Sequence, residues 1–79
     1  MINKYFKDIP IGGYFGCWGD IYLNYNSPTW LICKKDATFS GVEINKDGSE
    51  GQRFCIDDSD ELKPYSSEEI LKLLEEKYQ

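Results

Sequence analysis

Histidine is absent from this chain, and with it the commonest general base at neutral pH. No other catalytic set takes its place. Ser40, Ser49, Ser59, Ser66 and Ser67 stand in turn-like sequence or ahead of a helix, without a nucleophile-elbow sequence around them. The run "GGYFG" lacks the lysine of a phosphate-binding loop, and no helix is expected after it. The expectation is a protein that is not an enzyme and needs no cofactor. No apolar run approaches the roughly 18 residues of a membrane span. The start, "MINKYFKDIPIGG", has no continuous apolar segment of the signal-peptide kind. A cytoplasmic protein without a membrane partner is therefore expected. Cys17, Cys33 and Cys55 are odd in number and lack C-x-x-C spacing, which argues against a disulfide framework, a redox motif or a zinc knuckle. They read as small buried hydrophobes, with one exposed thiol or a bridge between chains as the alternative.

Rings are abundant where other features are scarce. Aromatic residues make up 15% of 79 residues, which suits a chain close to the lower limit for a self-sufficient core. Tyr14, Phe15, Trp18, Tyr22, Tyr25, Trp30 and Phe39 exceed what so small a core can bury, so some must be exposed or at an interface. Charge is uneven. Residues 1–40 balance at +1, whereas residues 41–79 carry eleven acids against five basic groups. General nucleic-acid binding needs a basic surface and is disfavoured. An acidic half suits either solubility or a basic partner. The run "DDSDE" places Asp57, Ser59, Glu61 and Glu68 at ligand spacings of a calcium loop, but Leu62 stands where that loop requires glycine. It reads as a solvated turn leading into a helix, with no metal.

Short strands followed by one helix account for the remaining pattern. "YFGCW", "DIYLNY", "TWLICK", "ATFSGVEI" and "QRFCIDD" alternate or are β-rich, and Gly19-Asp20, Asn26-Ser27-Pro28, Lys35-Asp36 and Asn45-Lys46-Asp47-Gly48 separate them with turn chemistry. Gly12-Gly13 permits a turn or bulge, and Gly16 and Gly41 mark places for a sharp bend. The third strand has no polar face, so it should be buried on both sides. Ser66 and Glu69 form a capping box for a helix over 66–78, whose stripe is Ile70, Leu71, Leu74 and Tyr78, widened by Leu73. The expected fold is mainly β (α+β): a single domain, with a small five-stranded, partly open β-barrel over 1–64 and a C-terminal α-helix packed on it. An exposed Leu71 or Leu73 would favour a homo-oligomer.

The runs "FKDIPIGGYFGCWGDIYLNYNS" and "RFCIDDSDELKPY" resemble a recurring pattern of short phage-encoded proteins. Phe6, Asp8, Ile9, Gly12 and Phe15 match its opening, Gly19 and Tyr22 its next piece, and Asp58, Leu62 and Pro64 its ending. The chain departs at Leu62, where valine is commoner, and in its appended helix. The resemblance implies an SH3-like barrel and an anti-defence role. Such proteins include anti-CRISPR-like inhibitors of bacterial immunity and oligomeric sponges for cyclic-nucleotide signals; a structural phage accessory protein is a third possibility. For an inhibitor occupying a basic surface of a host effector, Asp57, Asp58, Asp60 and Glu61 would supply attraction, and Tyr14, Trp18 and Tyr22 the anchors. For a cyclic nucleotide, Trp30 would stack a base while Lys34, Lys35 and Arg53 met phosphates.

Overall fold

The computed structural model describes residues 4–45 and 47–77. In chain order it contains β1 (Lys4–Tyr5), a 3-10 turn (Phe6–Asp8), β2 (Tyr14–Trp18), α1 (Gly19–Tyr22) and β3 (Trp30–Ala37). Then follow β4 (Ser40–Ile44), β5 (Glu50–Cys55), β6 (Glu61–Tyr65) and α2 (Ser67–Lys77). The fold is mainly β, one six-stranded antiparallel sheet in the order β1-β6-β2-β3-β4-β5 with a C-terminal helix. β2 to β5 form a meander, and β6 returns to the far side of β2. Among the described residues no helix is long and apolar enough to cross a membrane.

Six strands replace the expected five, and one of the five is not a strand. "DIYLNY" becomes α1 and a loop: Leu23 N–H donates to Gly19 O at 2.8 Å and Tyr25 N–H to the same oxygen at 3.3 Å. Tyr22 and Tyr25 pack against the same core, where a strand would have turned them to opposite faces. Their spacing of three is one that a turn of helix places on one side, and a short alternating run does not tell the two apart. β6 forms in "ELKPY", read from sequence as the turn into the helix. Pro64 lies within this strand. It pairs with Phe15, and its missing N–H meets no partner because β1 reaches only Glu61 and Leu62 on the other edge. The separator at Lys35-Asp36 is also absent, since β3 runs through it with an irregularity before Ala37.

Two apolar layers result. On the concave face Phe15 is fully buried, edge-on to Phe6 at 5.6 Å and to Phe54 at 6.5 Å between ring centroids. β2 and β5 are three strands apart in the sheet, so rings this close require it to curl. The opposite face buries Ile32, Val42 and Ile44, and α2 lies across β3 with Ile70 buried. Leu31, Ile32 and Cys33 are all buried, as the apolar third strand predicts. The capping box forms: Glu69 N–H donates to Ser66 Oγ at 3.2 Å, and Ser66 N–H to Glu69 Oε1 at 3.1 Å. Leu73 and Leu74 are half-buried, Leu71 points to solvent, and Tyr78 lies outside the described residues.

Gly16 and Gly41 make room for rings. A Cβ at Gly16 would lie inside the Trp30 indole, and one at Gly41 would stand 2.8 Å from Phe15 Cζ. Gly48 takes the left-handed conformation expected of its turn, with φ of 87°, and Gly12 has φ of 93° in the turn closed by Gly13 N–H to Pro10 O at 2.8 Å. Gly16→Ala should therefore displace Trp30 and destabilise the fold by about 1–3 kcal/mol in urea unfolding. An unchanged midpoint would show that the indole does not depend on that vacancy.

Candidate functional site

β6 divides its pairing between two neighbours. Lys63, Pro64 and Tyr65 pair with Gly16, Phe15 and Tyr14, whereas Glu61 and Leu62 pair with Tyr5 and Lys4 of β1. Beyond Gly16, β2 and β6 therefore part, and a cleft of about 220 Å³ opens in the fork. Trp18, Ile21, Tyr22 and Trp30 line one side, and Glu61 and Lys63 the other. Trp18 and Ile21 are 45% and 65% exposed, too open for core residues of this size.

Each ring is held by a different constraint. Trp30 lies over Gly16, edge-on to Trp18 at 5.0 Å and 74°, and its Nε1–H donates to Tyr65 Oη at 3.1 Å. Tyr22 rests on Phe54 with centroids 5.7 Å apart, and its hydroxyl donates to Asp60 Oδ2 at 3.1 Å. Burial pushes the Tyr22 phenol well above its ordinary pKa, and the bond to Asp60 and that carboxylate's charge push it further, with Asp57 adding to the effect. The loop bearing Asp57 and Asp60 is fixed from the other side, where Phe6 N–H donates to Asp60 O at 2.8 Å and Lys7 N–H to Asp58 O at 3.3 Å. Five residues expected at a partner surface thus converge at one end of the molecule: Trp18, Tyr22, Asp57, Asp60 and Glu61. Asp58 lies in the same loop, half-buried.

Tyr14 is not among them. It lines a separate cleft of about 320 Å³ with Pro10, Pro64 and Tyr65, beside Ser66 at the start of α2. The cations expected for a nucleotide are also elsewhere, and engaged. Lys34 Nζ is 2.7 Å from Glu50 Oε2, and Arg53 meets Asp36 Oδ2 at 2.7 Å and Glu50 Oε1 at 3.2 Å. The Glu50 contact raises the pKa of Lys34, and the Lys34 contact lowers that of Glu50. Lys35 is buried; its Nζ donates to Phe6 O at 2.8 Å and sits 4.3 Å from that ring's centroid. Its strand position turns it inward, so it is a structural cation and not a phosphate ligand. Trp30, expected as the stacking ring, joins Trp18 in the cleft instead of these cations.

Sequence reasoning missed Ile21 and Lys63, because α1 and β6 were read as strand and turn. Cys17 and Cys33 are buried with their sulfurs 3.5 Å apart, and Cys55 is exposed. Compared with protein-family models, curated proteins and solved structures, the chain matches none.

Tyr22→Phe should destabilise the fold by about 1 kcal/mol at pH 7 through the lost bond to Asp60. A phenol kept neutral in the folded state contributes fully below the unfolded pKa of about 10, and its contribution is lost as pH rises beyond it. Urea midpoints of the parent should therefore fall above pH 10 more steeply than those of Tyr22→Phe. Parallel curves would exclude the burial of this hydroxyl as their cause.

Proposed function

We propose that this chain is a non-catalytic binding protein that covers a basic surface of a partner protein. The resemblance to phage-encoded proteins makes the partner a host immune effector, met in the cytoplasm of an infected bacterium, and the activity an anti-CRISPR-like inhibition. One observation carries the reading: exposed aromatic and aliphatic anchors lie at the same end of the molecule as Asp57, Asp60 and Glu61. Exposed apolar anchors beside carboxylates suit a partner interface, where the anchors provide affinity and charge provides steering. The curl of the sheet around Phe15 supports an SH3-like, partly open barrel as the finer description of the fold.

Nucleotide sequestration is the lesser reading, because Lys34, Lys35 and Arg53 already have partners within the chain. A homo-oligomer finds support in the exposure of Leu71, but Leu73 is half-buried and one leucine falls short of an interface patch.

Affinity capture from lysate of a phage-infected bacterial host tests the proposal. The parent protein should retain a basic effector protein, and retention should fall with added salt because exposed charges are screened. The triple reversal Asp57→Lys, Asp58→Lys, Glu61→Lys should abolish it. Retention of the same protein by the reversed variant, or no specific retention by the parent, would overturn the electrostatic mechanism.

A further inference from the structure

The fork between β2 and β6 has the dimensions of a single side chain, and its walls differ in chemistry. At about 220 Å³ it is smaller than the usual pocket for a drug-sized ligand. Its open wall is the Trp18 indole, 45% exposed, held edge-on by Trp30. Across from it stands Glu61, exposed and without an ion-pair partner among the described residues. Asp20 shares the α1 turn with Ile21 and Tyr22, and Asp60 holds the Tyr22 hydroxyl. The lining contains one cation, Lys63, whose Nζ is drawn over the Tyr65 ring at 5.5 Å from its centroid.

From this we infer that the cleft receives one arginine side chain of a partner protein, stacked on Trp18 and paired with Glu61. The inference rests on the proposed binding of a basic surface and names the group that would enter. A planar guanidinium stacks on an indole face and at the same time forks onto a carboxylate, which a lysine ammonium does less well. Apolar side chains would leave Glu61 beside a desolvated wall without a partner. Anionic groups, including a nucleotide phosphate, would meet the Glu61 carboxylate in the lining, with Asp60 behind the Tyr22 hydroxyl. The charge of the rim therefore selects the occupant, and the indole selects its shape.

Titration of the isotopically labelled chain with N-acetyl-arginine amide, followed by amide and indole NMR shifts, tests this directly. The chain has two tryptophans, so both indole N–H signals can be followed. Saturable millimolar shifts are expected at the Trp18 and Trp30 indoles and at the amides of Glu61 and Lys63. The uncharged isostere N-acetyl-citrulline amide should bind roughly three- to fivefold more weakly, the size of an exposed cation–π contribution. Glu61→Gln should weaken arginine binding by a similar factor, and its spectrum reports whether the fold is intact. Trp18→Ala should remove the saturable shifts. Equal shifts with citrulline, no saturation, or shifts confined to residues outside the cleft would overturn the arginine site. Lysate capture that still depends on the acidic residues, alongside a negative titration, would leave the wider binding proposal standing while removing this one. Loss of both would remove both.

Discussion

Phe15 occupies its position only because Gly41 has no side chain. The ring fills the concave side of the sheet between Phe6 and Phe54, with its Cζ atom 2.8 Å from where a Cβ of Gly41 would stand. That contact joins the second strand to the fourth across the third, and thereby sets the curl of the sheet. The curl brings Ile56 and the loop after β5 around to the 3-10 turn, where Phe6 and Lys7 bind the loop carbonyls. It also turns Lys35 inward, where its Nζ donates a second hydrogen bond to Phe6 O beside that from the Ile9 N–H.

The same geometry creates the fork. β6 lies between β1 and β2 but is paired with β1 only over Glu61 and Leu62 and with β2 only over Lys63, Pro64 and Tyr65. Each part of β6 is thus paired along one edge, and a gap is left beside the end of β2. Trp18 and Trp30 close that gap in part. Their exposure is a consequence of topology, since no further strand is available to cover them.

Much of this was legible in the residues, by unequal means. The capping box of Ser66 and Glu69 is local chemistry and formed as the spacing requires. The apolar run of β3 reported its burial on both faces, because pleat alternation leaves no other explanation for two apolar faces. "DIYLNY" misled because six alternating residues satisfy a strand and a helical turn alike, and the deciding bonds to Gly19 O are set by a tertiary position. "ELKPY" misled because Pro64 is disfavoured in strands unless its nitrogen faces an open edge, and edges are known only from topology. The acidic residues and the rings were each visible as classes. That Trp18, Tyr22, Asp57, Asp60 and Glu61 share one end, while Tyr14 does not, follows from the return of β6 and from no spacing in the chain.

The distribution of cations completes the physical picture. Nine basic groups face fourteen acids in the whole chain, but the basic groups are not equally available. Lys35 is sealed into the core contact with Phe6, and Lys34 and Arg53 are held by Glu50 and Asp36 at the edge of the helix-covered face. These contacts engage three cations outside the lining of the fork, which itself holds Glu61 and Lys63. The Lys34–Glu50 and Arg53–Asp36 pairs remove bases and acids in equal number, so the net charge of −5 is left to the rest of the chain. Attraction of a cation to that cleft rests on Glu61, with the Lys63 ammonium drawn aside over the Tyr65 ring.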